Sequence, residues 1–181
     1  MSPSVTLSAI AAGPDDMKAL GAVLGGLLRS GDTVLLGGEL GAGKTTFVQG
    51  LAAALGIEEA VTSPTFVLVH SYRTAAGWDL LHADVWRLEQ LQEVIDLALP
   101  EQVEDGGAAV VEWGEMAAPA LAPDCLHVAI GFADDQSCPG DNASRGLDDN
   151  AGAGGARRVV FRALGPNWDQ RMAGLKTALA S

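Results

Sequence analysis

With 181 residues, 48% of them hydrophobic and 19% charged, the chain has the composition of a globular protein large enough to bury a core. A net charge of −12, with no cationic cluster beyond Arg157 and Arg158, argues against tight, direct binding of RNA or DNA. No apolar run is long enough to span a bilayer and residues 1–14 lack the pattern of a secretory signal, so we expect a cytoplasmic protein without membrane segments. Cys125 and Cys138 are too few to predict a zinc site or a disulfide framework.

Hydrophobic periodicity predicts alternating helices and strands. Apolar residues at every third or fourth position predict a helix over Pro14 to Arg29, and a short apolar run predicts a buried strand over Thr33 to Gly37. A helix over Lys44 to Leu55 follows, with Gly56 as its C-terminal stop. The remaining predicted strands are Phe66 to Tyr72, Leu80 to Asp84, Ala108 to Trp113, Leu126 to Phe132 and Arg158 to Ala163, and the remaining helices are Glu89 to Leu99, ended by Pro100, and Asn167 to Ala180. This order of elements predicts a single α/β domain over residues 1–181.

Residues 134–156, between the last two predicted strands, consist mostly of Gly, Asp, Ala, Asn and Ser. Leu147 is their one large apolar side chain, so they bury too little surface to offset the entropy lost on ordering. We therefore predict a disordered hairpin tip here, with a functional loop as the alternative.

A phosphate-binding loop is predicted between the strand that ends at Gly37 and the helix that begins at Lys44. Gly38 to Thr45 reads Gly-Glu-Leu-Gly-Ala-Gly-Lys-Thr, which matches Gly-x-x-x-x-Gly-Lys-Ser/Thr. The glycines let backbone N–H groups converge on phosphate oxygens, and the start of the helix adds its positive dipole. Lys44 would bridge the β- and γ-phosphates and the Thr45 hydroxyl would bind Mg²⁺, so the loop predicts a nucleoside triphosphate and magnesium.

Two acids follow apolar strands and are candidates to hold the metal. Asp84 ends Leu-Leu-His-Ala-Asp and Glu112 ends Ala-Ala-Val-Val-Glu, and such strand ends lie at the ligand side of an open α/β sheet. The sequence alone does not choose between them. Thr62 to Thr65 is interpreted either as a plain connector or as a switch segment that senses the γ-phosphate through a hydroxyl.

The aromatic and histidine side chains give weaker signals. His70 and His82 lie in strand-like runs without metal-ligand spacing, so we interpret them as structural. Trp113 is compatible with a core role and with packing against a switch. Tyr72, Trp78 and Trp86 are interpreted as packing residues, because no basic stripe accompanies them.

Four segments, in order, resemble the TsaE family, small bacterial ATPases of tRNA threonylcarbamoyladenosine biosynthesis. They are Gly-Glu-Leu-Gly-Ala-Gly-Lys-Thr-Thr from Gly38, Ser-Pro-Thr-Phe from Ser63, His-Ala-Asp-Val-Trp-Arg-Leu from His82 and Val-Glu-Trp-Gly-Glu from Val111. The resemblance extends over about residues 14 to 132. It implies a single-domain, three-layer phosphate-loop NTPase fold with a mostly parallel central sheet. Residues 134–156 form a longer insertion than the family's usual hairpin, and the segment Leu91 to Leu99 matches only loosely.

The resemblance also implies roles for particular residues. The phosphates would be held by Gly41, Ala42, Gly43, Lys44, Thr45 and Thr46. Thr45 and Glu112 would hold Mg²⁺, with Asp84 beside the γ-phosphate or its water, and Lys44, Asp84 and Glu112 would be the catalytic residues. Ser63 and Thr65 would form a first switch, Glu112 and Trp113 a second, and Arg158 would lie near the nucleotide. Such proteins hydrolyse ATP slowly alone, act with TsaB and TsaD, and meet tRNA only indirectly through that complex.

Two other functions share the loop. A small-molecule kinase would need a lid carrying several arginines, whereas Arg145 alone lies in the long loop. A GTP-dependent switch would select guanine through Asn-Lys-x-Asp, but none of Asn142, Asn150 and Asn167 is followed by Lys. We therefore expect ATP.

Overall fold

The computed structural model describes residues 5–64, 66–88, 90–114, 124–133 and 155–180, and the structural statements below concern these residues. Their strands are β1 (Thr6–Ala11), β2 (Thr33–Gly37), β3 (Val69–Arg73), β4 (Asp79–Asp84), β5 (Ala108–Glu112), β6 (Cys125–Phe132) and β7 (Arg157–Leu164). The helices are α1 (Pro14–Gly25), α2 (Lys44–Ala54), α3 (Leu91–Ile95), α4 (Leu99–Glu104) and α5 (Pro166–Leu179).

All of these strands join one sheet in the order β1-β7-β6-β2-β5-β4-β3. The centre of the sheet, β6-β2-β5-β4, is parallel, whereas β7, β1 and β3 pair antiparallel at the two edges. Every residue of β2 and β5 is buried, because parallel strands are covered on both faces. The expected mostly parallel centre is confirmed.

Helices cover both faces of the sheet, so the expected three layers are confirmed. On one face α1, α2 and α5 contribute Leu24, Phe47 and Trp168 to the larger core. On the other face α3 and α4 contribute Val94 and Leu99 to a smaller core. None of the described helices is both long and apolar enough to span a membrane.

The structure departs from the sequence-based predictions at several places. β1 was not predicted, because its inward positions are one leucine and two alanines, whereas Ile10 is exposed at the edge of the sheet. The helix expected over Glu89 to Leu99 is instead two short helices, separated where Ala98 adopts a φ of 51°. Pro100 lies in the first turn of α4 and does not end a helix, because proline's missing N–H is tolerated there.

The strand expected from Phe66 begins only at Val69. Leu68 has a φ of 71°, which is incompatible with extended backbone, and its N–H donates to the carbonyl of Pro64 in a turn. At the other end of the sheet, β6 and β7 form the predicted antiparallel pair. Residues 134–154 of the predicted hairpin tip lie outside the described residues.

Candidate functional site

The predicted phosphate loop is the turn that joins β2 to α2. Gly38 has a φ of 137°, and a β-carbon there would lie 2.4 Å from the Ile130 carbonyl oxygen, so only glycine fits against β6. Gly43 precedes α2 with a φ of 108°, which also favours glycine. The N-terminal N–H groups of α2 therefore end at the carboxyl edge of the sheet, where they can bind an anion.

The Lys44 ammonium group lies over this loop. Its Nζ donates to the carbonyl oxygens of Gly38 at 2.8 Å and Glu39 at 3.0 Å. Nζ also lies 3.8 Å from the ring centroid of Trp113, and Lys44 is only 5% exposed. A buried cation is thus positioned by carbonyl dipoles and an aromatic face beside the start of α2.

Glu112 connects the loop to the sheet. The Thr45 hydroxyl donates to Glu112 Oε1 at 2.9 Å, and His82 Nε2 lies 2.8 Å from the same oxygen. Glu112 is 3% exposed and His82 is fully buried. The parallel register of β4 and β5 places Asp84 opposite Glu112, so both candidate acids lie at one edge of the sheet.

Asp84 is held by the chain on either side of it. Its Oδ1 accepts the Trp86 N–H at 3.0 Å and its Oδ2 accepts the Ser63 hydroxyl at 3.3 Å. The Ser63 contact ties the predicted first switch segment to the strand end. Asp84 is 4% exposed, so this carboxylate has a fixed position.

These groups line one cavity of about 470 Å³. Its walls include the predicted site residues Gly41, Gly43, Lys44, Thr45, Thr46, Asp84 and Glu112. Ala42 lies between two of these residues in the loop and is buried, with its N–H donating to the Glu39 carbonyl. Thr65 lies outside the described residues. Arg158 does not line the cavity, and its guanidinium donates to the Ala133 carbonyl at 3.1 Å, so its expected contact with the nucleotide stays a prediction.

The donor atoms fit a magnesium nucleotide. Within the described parts of the chain, no group of three or more His, Cys, Asp or Glu side chains could hold a metal alone. Magnesium does not need such a group, because it is usually bound by one or two carboxylates, water and phosphate oxygens. Thr45 and Glu112 offer those oxygen ligands beside a loop of phosphate-binding geometry.

For two residues of this site, the contacts in the structure add to the role that the sequence suggested. His82 was interpreted as structural, and it contacts Glu112. Trp86 was interpreted as a packing residue. It is 54% exposed and lines the cavity, where its ring packs against that of Trp113 with centroids 4.1 Å apart. A signal for His82 was present, because it precedes Asp84 by two positions and alternate residues of a strand share a face.

Comparisons with known proteins agree with this geometry. Residues 11–138 match the family model described as threonylcarbamoyl adenosine biosynthesis protein TsaE. The tRNA threonylcarbamoyladenosine biosynthesis protein TsaE of Streptomyces coelicolor is 41% identical over 84% of this chain and 93% of its own length. The protein of the same name from Treponema pallidum is 43% identical over 64% of this chain and 84% of its own length.

A solved structure extends the similarity to the whole fold. The crystal structure of Bacillus subtilis YdiB superposes with a TM-score of 0.72 at 26% identity, covering 98% of each chain. The family model alone matches well over half of the chain, and its range contains the phosphate loop, Asp84 and Glu112. This chain therefore belongs to the TsaE family of threonylcarbamoyl adenosine biosynthesis proteins.

Proposed function

We propose that this protein is the Mg²⁺-dependent ATPase subunit of the machinery that makes threonylcarbamoyladenosine in tRNA, acting in the cytoplasm. The observation that carries the proposal is the 2.9 Å contact between the Thr45 hydroxyl and the Glu112 carboxylate, directly after a phosphate loop. That pair unites the two ligand types that phosphate-loop proteins use for magnesium. Relatives that bear the name tRNA threonylcarbamoyladenosine biosynthesis protein support the pathway, and do not favour a small-molecule kinase.

In this proposal each residue acts on the triphosphate from a fixed position. Residues 41–46 would hold the phosphates through backbone N–H groups other than that of Ala42, which donates to the Glu39 carbonyl. Lys44 would exchange its carbonyl contacts for the β- and γ-phosphates. Thr45 and Glu112 would hold the metal, which would neutralise charge on the phosphates. Asp84, whose carboxylate accepts the Ser63 hydroxyl, would lie beside the γ-phosphate or its water.

The partners belong to the proposal as well. The net charge of −12 disfavours direct contact with tRNA, so we propose that homologues of TsaB and TsaD bring this ATPase to the modification reaction. Hydrolysis by the isolated chain is then slow and rises when these partners bind. ATP is preferred over GTP, because the sequence lacks the Asn-Lys-x-Asp motif.

Calorimetry tests the nucleotide site. Wild-type protein is titrated with ATP in the presence of Mg²⁺ and in EDTA, alongside Lys44→Ala and the control Lys176→Ala. Lys176 is an exposed cation in the last turn of α5, far along the chain from the loop. We expect binding by wild type and Lys176→Ala and at least about a hundredfold weaker binding by Lys44→Ala, since a cation that contacts phosphate is lost. Equal ATP affinity of the two variants would refute the role of Lys44.

Copurification tests the pathway separately. Tagged protein is mixed with TsaB and TsaD homologues in ATP, ADP or no nucleotide, and ATPase rates are measured with and without them. We expect nucleotide-dependent association and a higher rate in the complex. If the chain binds ATP but never associates with these partners, the nucleotide site stands and the proposed pathway is wrong.

A further inference from the structure

His82 occupies an unusual position for a residue without an assigned role. It lies on β4 with its side chain fully buried, and its Nε2 is 2.8 Å from Glu112 Oε1. Its other ring nitrogen, Nδ1, has no hydrogen-bond partner among the described residues. Because buried polar groups are nearly always hydrogen-bonded, the contact with Glu112 is the main polar interaction of His82.

This arrangement identifies the tautomer of the ring. The Glu112 carboxylate already accepts the Thr45 hydroxyl at Oε1, and an ionised carboxylate offers only acceptors. Nε2 must therefore carry the hydrogen that it donates to Oε1. A neutral ring then leaves Nδ1 as a bare acceptor, whereas hydrogen on Nδ1 would bury an N–H donor without a partner.

Two donors thus converge on the same oxygen of Glu112. Thr45 reaches Oε1 from α2 and His82 reaches it from β4, and neither bond uses Oε2. The Thr45 hydroxyl is itself a proposed magnesium ligand, so its bond to Glu112 changes when the metal binds. The His82 bond involves no proposed ligand other than Glu112 and can persist through that change.

We infer that His82 is a positioning residue that holds the Glu112 carboxylate in its metal-binding orientation by donating from Nε2 to Oε1. The inference rests on the proposed magnesium role of Glu112. A hydrogen bond of this kind, one shell away from a metal, typically contributes about 10- to 100-fold to metal affinity or activity.

The test compares His82→Met with His82→Gln. The two replacements have nearly the same shape, but only Gln has an amide N–H that can reach the position of Nε2. His70→Met is the matched control, because His70 is directly opposite His82 on β3 and contacts Tyr72. ATP affinity is measured in Mg²⁺ and in EDTA, and the ratio of the two affinities is the Mg²⁺-dependent gain.

We expect the Mg²⁺-dependent gain to be about tenfold smaller in His82→Met than in wild type. The ATP affinity of this variant in EDTA should stay within about twofold of wild type. His82→Gln should recover most of the gain, and His70→Met should keep all of it. A full gain in His82→Met, or equal losses in Mg²⁺ and in EDTA, would overturn the inference in favour of a merely structural histidine. If Mg²⁺ does not raise the ATP affinity of the wild-type protein, the proposed magnesium role of Glu112 is wrong, and the inference about His82 is wrong with it.

A second measurement uses the wild-type protein alone. Nitrogen-15 NMR of histidine-labelled wild-type protein separates a protonated from a bare ring nitrogen. The inference requires that Nε2 of His82 carries hydrogen. A spectrum showing hydrogen on Nδ1 and none on Nε2 would overturn it, because Nε2 could then not donate to Glu112.

Discussion

The packing of α1 on α2 allows a sharp prediction at Gly50. A β-carbon at this position would lie 1.9 Å from the Lys18 carbonyl oxygen, and one at Gly21 would lie 2.0 Å from the Phe47 carbonyl oxygen. The two helices therefore approach each other backbone to backbone through glycines on both sides. Because α2 begins with Lys44 and Thr45, this contact also sets the position of the phosphate loop.

Gly50→Ala forces these helices apart. An ordinary contact of a β-carbon is 3.4 Å or longer, so the backbones must separate by about 1.5 Å. Overpacking of this kind typically costs about 1–3 kcal/mol, and the obstructing atoms here are backbone, which cannot rotate away. The gain of about 1 kcal/mol from alanine's helix propensity offsets part of this cost. At the upper end of that range, we expect the free energy of unfolding to fall by about 2 kcal/mol, with weaker ATP binding.

Gly174→Ala is the control, since Gly174 lies in α5 and a β-carbon there would meet nothing within 4 Å. Alanine should therefore raise the free energy of unfolding by about 0.5–1 kcal/mol. Urea denaturation followed by circular dichroism measures both variants against wild type. If Gly50→Ala is as stable as wild type, the close approach of α1 and α2 is wrong.

Three further predictions concern charged or ionisable groups. Glu112→Ala should lower Mg²⁺-dependent ATP turnover by about a hundredfold, measured by phosphate release, and an unchanged rate would remove this residue from the site. Arg171→Met should lower the free energy of unfolding, measured in urea, by about 3 kcal/mol, because the largely buried Asp32 loses the cation that donates to it at 2.7 and 3.0 Å and keeps the Arg29 N–H as a donor without a counter-ion. A loss below about 1 kcal/mol would contradict this. Burial, aided by the charge of Asp124, raises the pKa of the Cys125 thiol from 9.0 to about 11, so the folded state holds a proton that the unfolded state releases. Stability should therefore fall between pH 9 and 11 by up to about 2 kcal/mol more in wild type than in Cys125→Ala, and parallel pH profiles would refute this.

The sequence by itself determined the features that depend on neighbouring residues. The loop from Gly38 to Thr45 could be predicted because its chemistry lies in eight consecutive residues, and the structure gives its glycines the expected positive φ. β2 has the predicted bounds for the same reason, since a short apolar run between glycines specifies a buried strand. The two acids could be nominated because each ends an apolar run.

Only the tertiary structure decided how these pieces meet. Thr45 and Glu112 are 67 positions apart, and His82 and Glu112 are 30 apart. Their contacts depend on the strand order β2-β5-β4 and on the register that sets Asp84 opposite Glu112, neither of which is written in any local pattern. The positive φ of Trp113, 61°, is likewise imposed by its surroundings, because a bulky side chain disfavours that conformation. Local spacing therefore predicts a phosphate site, whereas strand pairing decided which acids, which histidine and which aromatic rings lie beside the loop.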